Sequence, residues 1–138
     1  MNFVDLLADL AIETNVLVRG AATRLDLSVS QVYHLLLIPF NGIPMSSLAK
    51  KLGLDASTLT RNINNLERRK LIIRQLDNRD RRIQLILLSI NGKDVVRNIE
   101  NHLEEKIYHV LNIIDLDTQE HLITVLEKLS WALACKRN

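Results

Sequence analysis

Only one cysteine, Cys135, stands among 138 residues. No internal disulfide can form, and a reducing cytoplasm is the expected compartment. Aromatic residues make up 4% of the chain, so aliphatic side chains must build the core. That scarcity also argues against binding single strands or RNA by base stacking, which needs exposed rings. No apolar run reaches membrane-spanning length, and the chain opens on Asp5, Asp9 and Glu13 rather than the basic start of a secretory signal. No membrane association is expected. A glycine-rich phosphate loop, a nucleophile elbow and any acid pair outside ordinary helix surface are missing too. The chain therefore reads as a non-enzyme needing no cofactor.

What is present is charge of one sign in one place. The net charge is +2 overall, but residues 41–92 hold ten Lys and Arg against four acids, a surplus of +6. Residues 1–40 and 93–138 each carry −2. A basic middle between mildly acidic ends fits a polyanion-binding module inside a scaffold with another task. A solvated basic surface is the plain alternative.

Within that middle, Leu59, Ile63 and Leu66 fall on one narrow stripe of a helix at about 100° per residue. Ser57, Arg61, Asn64 and Arg68 fall opposite, with Thr60 and Asn65 on the flanks. Hydroxyls, amides and guanidinium groups suit phosphate oxygens and major-groove base edges. Asp55 is a good N-cap for this helix, and a short helical pattern from Ser46 to Leu52, closed by Gly53, comes just before it. Two short helices around a tight turn, the second with a polar, basic outer face, read as helix-turn-helix.

The neighbouring segments extend this pattern. Phe3, Leu6, Leu7, Leu10, Thr14, Leu17 and Ala21 keep helical spacing. Ser28 and Gln31 form a capping box for a second helix that is apolar nearly all round. Pro39 and Gly42-Ile43-Pro44 open a turn. Leu71–Leu76 and Ile83–Leu88 have strand composition. Between them lies Asp77-Asn78-Arg79-Asp80-Arg81-Arg82, a polar tip with three arginines that could enter a minor groove. Helix resumes at Ser89-Ile90-Asn91-Gly92 and holds through Val96, Ile99, Leu103, Ile107, Val110 and Ile114. Asp117 and Glu120 are expected to cap a last helix, where Leu122, Leu126, Leu129 and Leu133 make a heptad-like seam. The predicted architecture is mainly α with a small β-hairpin wing. Residues 28–88 form the winged-helix lobe, and 1–27 and 89–138 form dimerisation helices within a single domain.

This order of elements resembles the MarR (multiple antibiotic resistance regulator) family. The matching pieces are Leu27-Ser28 with Gln31 and Leu35, Ser47-Leu48-Ala49 with Leu52-Gly53-Leu54, and Ser57-Thr58-Leu59-Thr60-Arg61 with Leu66-Glu67. The series continues through Leu71-Ile72 with Arg74, Asp80-Arg81-Arg82, and Leu88-Ser89 with Gly92. The resemblance implies a homodimeric winged-helix transcription regulator, often a repressor, on a pseudo-palindromic operator in double-stranded DNA. It implies contacts to bases and phosphates from Ser57, Thr58, Thr60 and Arg61, and a minor-groove arginine at Arg82 held by Asp80. Asn64, Asn65, Arg68, Arg79 and Arg81 join this set from helical projection and wing position, the amides as partners for adenine. A small lipophilic or phenolic ligand is implied as effector, with Arg19, Tyr33 and His34 chosen as lining residues on chemistry and location. Two positions depart from the family pattern. Lys70 stands where a glycine usually ends the recognition helix, at a cost of roughly 1 kcal/mol if left-handed. Met45 replaces a capping Thr or Ser, with Ser46 able to cap one residue later.

Three other readings compete with this one. Cys135 lacks a resolving partner for a thiol switch. His34, His102, His109 and His121 make no tight metal cluster, although Glu105 and His109 lie one turn apart. A winged helix binding an acidic protein partner, with no direct DNA role, is the alternative from another class; the acid-free helix face and arginine-tipped wing favour DNA.

Overall fold

A computed structural model describes residues 1–137; Asn138, the last position of the expected 89–138 segment, lies outside the described residues. The chain divides into two compact units, Met1–Leu103 and Glu104–Asn138. In order the elements are α1 (Phe3–Arg24), α2 (Val29–Leu37), β1 (Ile43–Pro44), α3 (Met45–Leu52), α4 (Ala56–Arg68), β2 (Ile72–Leu76), β3 (Gln84–Leu88), α5 (Ile90–Leu111) and α6 (Leu116–Lys136). This is a winged helix: mainly helical, with a small antiparallel sheet in the order β1-β3-β2.

The first unit is organised around aliphatic side chains, as the shortage of aromatics requires. Val32, Leu35, Leu48, Leu59, Ile63, Leu66, Ile86 and Ile99 have no exposed surface, and they join one cluster drawn from α1 through α5. Burying each such side chain stabilises the fold by about 1.5–3 kcal/mol. The first long helix contributes only its C-terminal half, through Val18 and Ala22. Its other half leaves Phe3, Val4, Leu6 and Leu10 exposed. The Ser28–Gln31 capping box is formed in full, with both bonds 2.9–3.0 Å long.

The hairpin pairs Ile72 with Leu88 through to Leu76 with Gln84. A strand that composition did not reveal, β1, joins its free edge by pairing Ile43 with Ile86 and Pro44 with Leu85. Two residues carry too little periodicity to be read as a strand. Pro44 also lacks a donor, which suits the edge position it takes.

Helix starts differ from expectation in two places. The third helix begins at Met45 behind Pro44, with no side-chain cap, so Ser46 sits inside the helix rather than capping it. In the second unit, α6 begins two residues earlier than the Asp117–Glu120 pair implies. Asp115 is the cap, its Oδ1 accepting from the Thr118 backbone N–H at 2.9 Å and its Oδ2 from the Thr118 hydroxyl at 2.6 Å. Gln119 then donates to the carbonyls of Leu111 and Ile114, satisfying orphan acceptors at the end of α5. No side chain of α6 is buried; Leu122, Leu126 and Leu133 on the seam are exposed, as is Trp131.

The end of α4 governs how the wing begins. Lys70 has φ 59°, so it takes the left-handed conformation that costs a lysine roughly 1 kcal/mol. Its N–H donates to the Glu67 carbonyl at 2.9 Å, and that of Leu71 to Leu66 at 3.0 Å. These two bonds make a Schellman ending. The turn is then tied to α5: Ser89 Oγ donates to the Lys70 carbonyl at 2.6 Å and accepts from the Gly92 N–H at 2.9 Å. A Cβ on Gly92 would fall 1.9 Å from the Leu71 carbonyl oxygen, so only glycine fits there. Because a side chain at φ 59° is strained, Lys70→Gly is expected to raise stability by about 0.5–1 kcal/mol after the extra chain entropy of glycine is subtracted. Thermal melts at one fixed protein concentration check this; an unchanged or lower Tm would count against it.

Candidate nucleic-acid interface

The second helix of the helix-turn-helix is capped by Asp55. Its Oδ1 accepts from the Thr58 N–H at 2.7 Å and from the Ser57 hydroxyl at 2.8 Å. The Thr58 backbone N–H, followed by the Ser57 hydroxyl, holds the Asp55 carboxyl below its ordinary range. Ser57 therefore spends its proton locally and offers lone pairs outward. Thr60 does likewise, donating to the Ala56 carbonyl at 2.8 Å. With Leu59, Ile63 and Leu66 buried, Ser57, Thr60, Arg61, Asn64 and Arg68 are all exposed, while Thr58 and Asn65 are half-buried at the edge of the face.

Both asparagines of this face have their amide oxygens occupied. Arg68 donates to Asn65 Oδ1, and Arg74, from β2, donates to Asn64 Oδ1. Pairing with adenine uses both the oxygen and the NH2 of an amide, and on each side chain an arginine already takes one of the oxygen's two lone pairs. Arg74 also places its Nε 3.2 Å from Glu67 Oε2, an ion pair too poorly aligned to count as a hydrogen bond. Glu67 lies at the edge of the polar face, and this pairing offsets its charge.

At the wing tip the expected brace is formed. Arg82 Nε donates to Asp80 Oδ1 and its Nη2 to Oδ2, each at 3.0 Å, and the Arg82 backbone N–H adds a third bond to Oδ1 at 3.1 Å. The Arg82 guanidinium, with that N–H, lowers the Asp80 carboxyl, and Asp80 in turn raises Arg82. The arginine side chain nevertheless stays 90% exposed, a preorganised fork projecting into solvent. Arg79 and Arg81 are exposed on the same tip, where Asp77 Oδ1 accepts from the Arg79 N–H at 2.7 Å.

The three residues chosen as ligand lining are not brought together. Successive positions on a helix point about 100° apart, and that separates Tyr33 from His34. Tyr33 donates to Asn15 Oδ1 at 2.9 Å and lines an open cleft of about 310 Å³ with Leu7, Leu10, Ala11 and Thr14. His34 is buried on the other side of α2. Its Nδ1 lies 2.6 Å from the Ser30 carbonyl and its Nε2 3.1 Å from Asn62 Nδ2. A carbonyl can only accept, so Nδ1 carries the proton and Nε2 accepts from Asn62. In this conformation His34 is a strut between α2 and α4. Arg19 is exposed on α1, outside the cleft lining.

Sequence reasoning passed over Arg74, Asn62 and Arg69. Arg69 donates to the Asp26 carbonyl at 2.6 Å, tying the end of α4 to the turn after α1. Arg74 sat in the motif series, but strand alternation tells only which face a residue takes, not which helix side chain it meets. Of the histidines, His102 Nδ1 lies 3.2 Å from Arg24 Nη1. Among the described residues no group of three His, Cys, Asp or Glu is placed to hold a metal ion. Cys135 is exposed.

Residues 25–83 match the model of the MarR family. The chain is 26% identical over 107 residues to YdgJ, an uncharacterized HTH-type transcriptional regulator of Bacillus subtilis (strain 168). The match covers 78% of the present chain but only 62% of that relative's length. Among solved structures, the Staphylococcus aureus MepR–DNA complex superposes with a TM-score of 0.76 at 21% identity, covering 96% of this chain and 98% of that one. CouR of Rhodococcus jostii RHA1, bound to p-coumaroyl-CoA, gives 0.77 at 20% identity, covering 94% and 91%. Likeness at these identities is likeness of fold.

Asp55, Asp80 and Asp115 all have lowered folded values, so the sign of their pH dependence follows. The stability they contribute is complete above the ordinary carboxylate value of 3.8 and is lost as pH falls through their lower folded values. Asp55→Asn, which keeps a capping oxygen but cannot titrate, should flatten the acid limb of a stability-against-pH curve. An unaltered limb would show that the cap bonds to Asp55 are not formed in solution.

Proposed function

We propose that this protein is a transcription regulator of the MarR family that binds double-stranded DNA sequence-specifically as a homodimer, acting as a repressor on a pseudo-palindromic operator. The carrying observation is the polar face of α4 beside the braced, 90%-exposed Arg82 of the wing. A recognition helix and an arginine-tipped hairpin on one lobe are suited to a major groove and the adjacent minor groove. The MepR–DNA complex, similar in fold over nearly the whole chain, supports this reading.

In the proposed mechanism Ser57, Thr58, Thr60, Arg61, Asn64, Asn65 and Arg68 meet bases and phosphates in the major groove. Arg82, braced by Asp80, senses minor-groove width, and Arg79 and Arg81 track phosphates. Two copies would set their recognition helices ~34 Å apart on one face of the duplex. Residues 28–88 serve as the DNA-binding lobe and the flanking helices as the dimer-forming part of a single domain. Exposed apolar side chains on the first half of α1 and along α6 support the dimer, because such surface is rarely left in water. A small lipophilic or phenolic ligand is proposed to release DNA by favouring a different spacing of the two lobes, with the apolar cleft at Tyr33 as its place. The protein is proposed to act in the cytoplasm; among the described residues no helix is long and apolar enough to cross a membrane.

Arg61 and Arg79 separate the two kinds of contact. Arg61→Ala should narrow the gap between operator and random duplex by roughly 5–150-fold, the worth of about 1–3 kcal/mol for one good base contact. Arg79→Ala should weaken all duplexes alike and reduce the salt slope by about 0.9, one phosphate contact. Equal losses on every sequence from both variants, in titrations across a salt series, would refute the assignment. Sedimentation of the free protein should give a dimer at micromolar concentration, and a double polar change on the seam, Leu126→Glu with Leu133→Glu, should give monomers that lose operator affinity. A monomeric parent protein would remove the two-lobe mechanism.

A further inference from the structure

An asparagine on a recognition helix is ordinarily read as a partner for adenine, because its amide offers one acceptor and one donor side by side. Asn64 is exposed at the centre of the polar face, yet its oxygen is not free. The guanidinium of Arg74 donates to Asn64 Oδ1. A guanidinium has donors only, so the orientation of the amide follows from chemistry: the oxygen faces Arg74, and the NH2 is the group left without a partner charge for an incoming ligand.

The tether is built rather than incidental. Arg74 rises from β2 opposite Ile86, and its side chain is only 20% exposed. Its Nε is paired with Glu67, three residues along α4 from Asn64 and therefore on the adjacent part of the helix surface. One arginine, fixed from below by the sheet and from the side by a carboxylate, thus holds the amide in one orientation. The comparable contact of Arg68 with Asn65 lacks this support, since Arg68 is itself exposed and lies on the same helix.

We propose that Arg74 and Asn64 form a specificity-determining pair. Arg74 positions the Asn64 amide so that it reads a base edge as donor only, selecting the major-groove acceptors of guanine or thymine over adenine. The inference rests on the DNA-binding reading above and deepens it. Guanine presents two acceptors, N7 and O6, and thymine presents O4. Adenine's paired acceptor and donor are met poorly while Arg74 holds the amide oxygen, because the remaining lone pair would have to accept the N6–H beside a cationic donor. Arg74 touches no base; it acts through Asn64, and its removal returns the acceptor to the amide.

The test is selection of duplexes from a random oligonucleotide pool by the full-length protein and three variants, followed by sequencing of the bound fraction. Asn64→Ala locates the base pair that Asn64 reads, because the preference there disappears while other positions keep theirs. At that pair the parent protein is expected to favour guanine or thymine. Arg74→Met, which keeps an apolar stem in the same space, should raise the adenine-to-guanine ratio at that one pair roughly tenfold, the scale of one bidentate base contact. The double variant should show no such rise, because the amide that mediates it is gone. A parent preference for adenine at the Asn64-dependent pair would overturn the pairing. So would an Arg74→Met protein that binds every duplex more weakly with unchanged base frequencies, which is what a purely structural arginine predicts. Should Arg74→Met fail to fold, the base lost in Asn64→Ala decides alone: guanine or thymine upholds the inference, and adenine or no loss defeats it. A parent protein that retains no duplex at all fails the DNA-binding reading itself, and the pair falls with it.

Discussion

Three side chains with no exposed surface, Leu59, Ile63 and Leu66, pin α4 to the core of the first unit. Their burial, worth about 1.5–3 kcal/mol each, is what assigns the helix an inside and an outside. A helix free to roll would present Ser57, Arg61 and Asn64 in no particular direction. Held along this stripe, it must turn them outward, and the charge concentrated in the middle of the chain becomes a surface with a shape. The His34–Asn62 strut and the Arg69 bond to the Asp26 carbonyl restrain the same helix from its flank and its far end.

Five arginines of this region fall into two groups that do different work. Arg74 and Arg82 are each committed to a carboxylate, Glu67 and Asp80, and so lose little conformational freedom when a ligand arrives. Arg61, Arg79 and Arg81 are exposed and contribute field and contact area. Paired and unpaired guanidinium groups side by side explain how a chain of net charge +2 can present a directed basic face. The carboxylates on that face orient their neighbours more than they dilute the charge.

Helices α1, α2, α4 and α5 and the two hairpin strands were legible because each has an unbroken period over several turns or a run of β-branched residues. Legibility failed where the signal was short or where two solutions competed. Two residues at Ile43–Pro44 carry no period, yet the sheet has an open edge that they fill. Asp115 and Asp117 both resemble caps, and the bonds from Thr118 to Asp115 decide between them. Met45 stands where a capping Thr or Ser is usual; the helix begins there uncapped, held by the burial of Leu48 rather than by a side-chain bond. Tyr33 and His34 are adjacent in the chain and part ways in space, for no reason beyond the angle between successive helical residues.

From its residues alone this polypeptide declared a winged helix, the polar composition of its recognition helix and the Asp80–Arg82 brace. All of these are local: they depend on spacing within one element or on partners two residues apart. Only the tertiary structure decided that Arg74 reaches the Asn64 amide, that His34 supports α4, and that Ser89 ties the end of α4 to the start of α5. Those contacts join groups 10 to 28 residues apart. Chemistry makes such partners compatible, but proximity follows from the packing of whole elements, which no short stretch of sequence contains.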